Sequence, residues 1–168
     1  EKAEQYAFYS FVTGLPNKEY AIKTIVEDIP RLYIGRFATL ISLDIDNFKA
    51  VNDTLGHDSG DKLLRQVGKR FKRAIHMNDQ VYHMGGDEFL FLINSAYNRR
   101  QAEFMIKKIQ NVFKEPFHIE GKKIDYVTAS LGVVIINQDG NDFETLYNNA
   151  DDAMYEAKRL GKNIYSFY

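Results

Sequence analysis

The chain has 168 residues, a formal net charge of −1, 45% hydrophobic and 14% aromatic residues, and no cysteine. That length can bury one sizeable core, and the composition is globular rather than disordered. The near-zero charge excludes a general basic field for nucleic acid, the missing cysteine excludes disulfides and thiolate metal sites, and no apolar run approaches the ~20 residues of a membrane span.

The opening EKAEQYAFYSF has mid-helix character, so residues 1–12 are expected to form a linker helix entering from a larger protein, with 1–168 as one domain. Ala21, Ile22, Ile25, Val26 and Ile29 recur at helical spacing until Pro30 stops them. FATLISLDI (37–45) is a strand ending in acid. Ser59 is a candidate cap for a helix with the stripe Leu63, Leu64, Val67, Phe71, Ala74 and Ile75. QVYHM (80–84) and FLFLI (89–93) read as strands of a hairpin joined by GGDE. The next helix buries Ala102, Met105, Ile106, Ile109, Val112 and Phe113 and closes at Pro116. Residues 123–136 read as one long strand region. Phe143, Leu146, Tyr147, Ala150, Ala153, Met154 and Ala157 mark the final helix, and NIYSFY is a closing strand. Mixed elements with an antiparallel hairpin imply an α+β fold, a sheet with helices packed on it.

Asp44 and Asp46 end an apolar strand, where a carboxylate is costly unless a cation or donors meet it. Asp87 and Glu88 sit on a hairpin tip with two glycines, which can bring backbone close to a ligand or another chain. If that hairpin lies beside strand 37–45, Asp44 and Asp87 converge. Two or three hard oxygen ligands with room for waters and phosphates suit Mg²⁺. Taken alone, GGD is an ordinary turn and Asp44 a strand-end charge. The stretch between them, LDIDNFKAVNDTLGHDSGD (43–61), adds Lys49, Asn52, His57 and Asp61. A lysine can reach a phosphate as a point charge, and Asn with Asp offers what a guanine edge needs. Asp61 would equally suit a helix's first turn, and Asn52 a turn.

Thr13-Gly14-Leu15-Pro16-Asn17, LDIDNFKAVNDTLGH with Gly60-Asp61, GGDEF (85–89) and AKRLGKN (157–163) together resemble the successive signatures of the GGDEF diguanylate cyclase family, in order and spacing. The resemblance covers nearly the whole chain. It implies a ferredoxin-like palm like that of class III nucleotidyl cyclases, with a central, mainly antiparallel sheet flanked by helices. It implies Mg²⁺ (or Mn²⁺) as cofactor, GTP as substrate, cyclic di-GMP as product, and a transient homodimer in which two copies face each other. Carried over by position, it puts Asp44, the Ile45 carbonyl, Asp87 and Glu88 at the metal, with Asp87 as proton acceptor. Lys49 would stabilise charge on the phosphates. Asn52, His57 and Asp61 would bind substrate, Asn52 and Asp61 reading guanine, and Lys158 and Lys162 would make late phosphate contacts.

Three positions depart from the family pattern. His76-Met77-Asn78-Asp79 replaces the inhibitory Arg-x-x-Asp, so a degenerate inhibitory site is expected at His76 and Asp79. His83 stands where the family commonly has Arg, and Ser10 where it has Asp. The NDTLGHDSGD wording, TGLPN and the closing GKNIYSFY are similar to GGDEF domains that precede an EAL phosphodiesterase domain. A fused sensor or EAL domain, a cytoplasmic location and a parent that could be membrane-anchored are therefore expected, with no nucleic-acid partner. The alternative is a weak GTP-binding module that regulates such a neighbour. A cyclic di-GMP receptor would need the arginine that His76 replaces.

Overall fold

The computed structural model describes residues 2–32 and 35–168. Its elements in chain order are α1 (Lys2–Phe8), α2 (Lys18–Asp28), β1 (Thr39–Asp46), α3 (Phe48–Leu55), α4 (His57–Ala74), β2 (Gln80–Gly85), β3 (Glu88–Ile93), α5 (Arg99–Gln110), β4 (Phe117–Ile119), β5 (Lys122–Ile124), β6 (Thr128–Ile135), α6 (Phe143–Arg159) and β7 (Tyr165–Phe167). β1 is apolar in successive residues, so it needs cover on both faces and takes the centre of the sheet. The order is β2-β3-β1-β6-β7, antiparallel throughout except for the parallel pairing of β7 with β6. The connection β1–helices–β2–β3–α5–β6 in that strand order is ferredoxin-like, as the resemblance implied.

Strand alternation divides the core in two. Leu40, Leu90, Leu92 and Val134 face α2 and α6 and meet Ala21, Ile25, Leu146 and Ala150. Ile41, Leu43, Phe91 and Val133 face the other helices and meet Leu63, Val67 and Phe71 of α4 and Ile106 of α5. α6 lies unusually close to β6. A Cβ on Gly132 would fall onto the backbone of Ala150 and Met154, so only glycine admits this approach. That closeness brings the polar side chains of α6 within reach of the end of β1.

Three expectations need correction. Ser59 caps nothing: α4 begins at His57 behind Gly56, and Ser59 is buried within its first turn. The stretch before it is itself a helix, α3, and Gly56 at φ 90° separates the two. Residues 123–136 are not one strand. Glu120 and Gly121, at φ 51° and 78°, turn β5 back onto β4 as a separate two-stranded hairpin, and β6 starts afresh at Thr128. At the N-terminus the helix ends at Phe8, earlier than residue 12. The Ser10 hydroxyl accepts the N–H groups of Val12 and Thr13, which turns the chain so that Tyr9 bridges Pro16. Glu1 lies outside the described residues. No helix among them is long and apolar enough to cross a membrane.

Candidate active site

The hairpin tip is tied directly to the end of β1. Asp44 is in register with Glu88, and the Ile45 N–H donates to the Asp87 carbonyl at 3.1 Å. Gly85 and Gly86 take φ 128° and 51°, so the tip turns in a conformation that side chains rarely adopt. The expected convergence of Asp44 and Asp87 is therefore present, and Glu88 joins them.

These acids burden one another. Burial pushes the Asp87 carboxyl above the usual carboxylate range, and the Asp44 charge adds to it. Glu88 is raised by burial, with Asp151 and Asp44 adding to the effect and a Tyr147 hydrogen bond opposing it. One cation already answers this field: Lys158 Nζ donates to Asp44 Oδ2 at 2.6 Å, a pair only 29% and 19% exposed. Burial pulls the Lys158 ammonium down, but its bond to Asp44 together with the charges of Asp44, Asp87 and Asp46 outweighs that and holds it above the ordinary lysine range. A negatively charged pocket of hard oxygens fits a divalent cation. Among the described residues no three His, Cys, Asp or Glu side chains gather as a ready metal cage. Mg²⁺ is usually held by one or two carboxylates with phosphates and waters, which this open arrangement suits.

The expected nucleotide residues lie on α3 and the start of α4. Asn52 packs over α4 so tightly that a Cβ on Gly60 would collide with its Oδ1. Lys49, His57 and Asp61 are exposed to solvent. Lys162 follows α6 in a left-handed turn (φ 65°), and the next residue, Asn163, donates its N–H to Asp46 at 3.0 Å. Asp46 also accepts the hydroxyls of Thr128 and Ser130, each at 2.7 Å. This buried carboxylate is thus spent on donors and anchors the Lys162 turn, while Asp44 keeps the cation.

The 76–79 segment behaves differently. Asp79 is 4% exposed and accepts from the backbone of His76, Asn94 and Ser95 and from the Ser95 hydroxyl. Both its oxygens clasp loops together. His76 is exposed at the edge of a groove with Tyr97, Arg100 and Phe104.

Two residues of α6 were missed as site residues. Tyr147, read only as a marker of the final helix, donates its hydroxyl to Glu88 Oε1 at 2.6 Å. Asp151, one turn on, has its carboxyl raised by burial and by Asp44. The Ser42 hydroxyl near it opposes this without closing a bond of good geometry. The i, i+4 spacing of a tyrosine and an acid on the helix that ends in AKRLGKN was the available signal.

A family profile described as diguanylate cyclase, GGDEF domain, matches residues 7–164, and the chain belongs to that family. It is 34% identical over 170 residues to the signaling protein YkoW of Bacillus subtilis. It is 36% identical over 171 residues to the bifunctional diguanylate cyclase/cyclic di-GMP phosphodiesterase MucR of Pseudomonas aeruginosa. These alignments take in 100% and 98% of this chain but only 21% and 24% of the two relatives, so the chain spans about a quarter of their length or less. Among solved structures, a sensory box/GGDEF family protein from Caulobacter crescentus superposes with a TM-score of 0.86 at 30% identity, covering 92% of this chain and 100% of that one. The isolated GGDEF domain of a Pseudomonas aeruginosa protein matches in fold, with a TM-score of 0.89 at 24% identity over 95% and 93% of the two chains. The family is one of nucleotidyl cyclases that in general depend on divalent metals.

Proposed function

We propose that the domain is a diguanylate cyclase that condenses two GTP into cyclic di-GMP with release of two pyrophosphates. The observation that carries this reading is the meeting of Asp44 and Asp87 at the tethered hairpin tip, with Lys158 on Asp44. Asp44, the Ile45 carbonyl and Asp87, with Glu88 beside them, would hold a divalent cation, which when bound neutralises the triphosphate and lowers the pKa of the attacking hydroxyl. Asp87 takes the 3′-hydroxyl proton on a carboxylate oxygen. The 3′-oxygen bonds to the α-phosphorus of the GTP in the facing copy, the α–β bond breaks, and pyrophosphate leaves. The same step in the other direction closes the ring. Lys49 steadies the charge that develops on the phosphates, and Asn52, His57 and Asp61 hold the nucleotide. Lys158 exchanges Asp44 for phosphate, with Lys162 as a second phosphate contact.

The second reading, a GTP-binding regulatory module beside a phosphodiesterase domain, is favoured by a likeness of 33% identity over 165 residues to the cyclic di-GMP phosphodiesterase NbdA of Pseudomonas aeruginosa. Incubation of concentrated domain with Mg-GTP, followed by chromatography for cyclic di-GMP, separates the two. Product supports the cyclase. Nucleotide binding without product supports the regulator.

A further inference from the structure

The bond from Tyr147 to Glu88 joins α6 to the hairpin tip across 59 residues of sequence, and its surroundings set what it can do. Asp44 lies directly across the β1–β3 ladder from Glu88, and like charges in that relation repel. Asp87 precedes Glu88 in the chain, and Asp151 adds a further negative charge from α6. Left alone, Glu88 would turn its carboxylate away from this field and into solvent. The Tyr147 hydroxyl opposes that by taking up Oε1. Its ring is fixed independently of the bond, by Phe143 at 5.6 Å between centroids and by the Lys18 ammonium 6.0 Å from the ring centre. A phenol keeps its proton throughout the physiological range, and a carboxylate oxygen can only accept, so Tyr147 is the donor of this bond. With Oε1 engaged, Oε2 is the oxygen left for a cation.

We propose that Tyr147 is a positioning residue: it fixes Glu88 in the orientation from which its second oxygen meets the divalent cation. Hydrogen-bonded partners of ligating carboxylates commonly set ligand orientation, and losing one typically costs about 10–100-fold in metal affinity. The proposal rests on the cyclase reading of the site only in placing a cation beside Asp44 and Asp87.

The test is Mn²⁺ binding followed by electron paramagnetic resonance of the free ion, with a non-hydrolysable GTP analogue at saturation. Wild type, Tyr147→Phe, Glu88→Gln and the double variant are compared, with thermal melts of each. The expected result is a Mn²⁺ Kd at least about 10-fold weaker in Tyr147→Phe, a comparable loss in Glu88→Gln, and no further loss in the double variant. A folded Tyr147→Phe that binds Mn²⁺ as wild type does overturns the proposal. So does an additive double variant, since Tyr147 would then not act through Glu88. If Tyr147→Phe melts below the assay temperature, Tyr147→Leu, which keeps apolar bulk and has no donor, serves in its place: a folded Tyr147→Leu with wild-type Mn²⁺ affinity overturns the proposal equally. If Glu88→Gln binds normally, Glu88 is not a ligand and the proposal falls, while the cyclase reading stands on Asp44 and Asp87. Failure of wild type to bind Mn²⁺ with nucleotide overturns both.

Discussion

Ser10 and His83 are hydrogen-bonded to each other, with Ser10 Oγ 2.7 Å from His83 Nδ1. These are two of the positions at which the sequence resemblance implied a departure from the family's Asp and Arg. The departures are therefore one exchange, a neutral hydrogen bond between two facing positions. On its other side the ring meets the Gly86 carbonyl at 2.8 Å, and a carbonyl can only accept, so Nε2 carries the proton and Nδ1 accepts from Ser10. The chain turn after α1 is thereby linked through one imidazole to the glycine before Asp87. Ser10→Ala should leave Nδ1 without a donor and cost about 1–3 kcal/mol in urea denaturation. The double exchange Ser10→Asp with His83→Arg should be less destabilised than the sum of its two single variants. Additivity would show that the two sites are not coupled.

The same bond gives the domain an acid limit. Burial holds the His83 imidazole below its ordinary pKa, and the Gly86 bond and the Asp61 charge only partly oppose this. The folded state therefore prefers neutral histidine, whereas the unfolded chain takes a proton near pH 6.5. Stability from this group is full above that pH and is lost as the pH falls from about 6.5 through the lower folded value. Urea midpoints of wild type relative to a folded His83→Gln variant, measured from pH 8 down to 5, should decline across this window, since the raised Asp87 and Glu88 carboxyls act in the opposite sense in both.

Asp87→Asn and Asp44→Asn should each lower cyclic di-GMP formation by about 10²–10⁴-fold, the range for loss of a general base or of a comparable charged group. Their effects on the metal-free domain should differ in sign. Asp87 is raised by burial and by its neighbour's charge, so its amide relieves repulsion at pH 7 and the melt should rise. Acid–acid repulsion by itself would give Asp44→Asn the same gain. Its bond to Lys158 reverses that, because the variant strands a partly buried ammonium, and the melt should fall. Differential scanning fluorimetry without metal checks both signs.

Much of this was legible in the sequence, and for stated reasons. The apolar run of β1, the glycine pair of the tip and the helical stripes each follow from burial and local geometry, so the sheet and the meeting of Asp44 with Asp87 could be anticipated. Pairings made by distant partners could not. Nothing in the periodicity of Lys122–Ile124 says that it folds back on Phe117–Ile119 rather than continuing into β6. Ser10, His83 and Tyr147 are ordinary surface or core residues until the fold brings each its partner. Asp46 and Asp44 look alike at a strand end, and only their neighbours separate an anchor from a cation site.

Asp79 should behave as structure rather than as a ligand. Asp79→Ala strands three backbone donors and a hydroxyl in a buried corner, at a cost of about 3 kcal/mol or more in urea denaturation. His76→Arg leaves that clasp intact and adds a planar fork beside Tyr97 and Arg100. Calorimetric titration should show weak or no cyclic di-GMP binding in the wild type and tighter binding in this variant. Equal binding by both would mean that the groove lacks more than one arginine.

Product formation should rise more steeply than linearly with protein concentration. The domain offers one set of candidate metal ligands, centred on Asp44 and Asp87, and one set of nucleotide residues on α3 and α4. In the proposed reaction each 3′-hydroxyl reaches the α-phosphate of a GTP held elsewhere, which requires two domains to face each other. Most of the apolar stripes of α2, α4, α5 and α6 is consumed in the two halves of the core, and the exposed Val26 and Phe104 stand on different helices, so no heptad seam is left among them for a stable dimer. In relatives such as YkoW and MucR this domain accounts for 21% and 24% of the protein, and flanking segments of that kind can raise the effective concentration of a weak pair. Specific activity of the 168-residue domain should therefore climb with concentration, and fusion to a dimerising coiled coil should lift it at the dilute end. A flat plot with measurable activity would mean that one copy suffices. Mg-GTP binding without product even in the forced dimer would assign the domain to regulation and make the Ser10–His83 exchange the first site to revert.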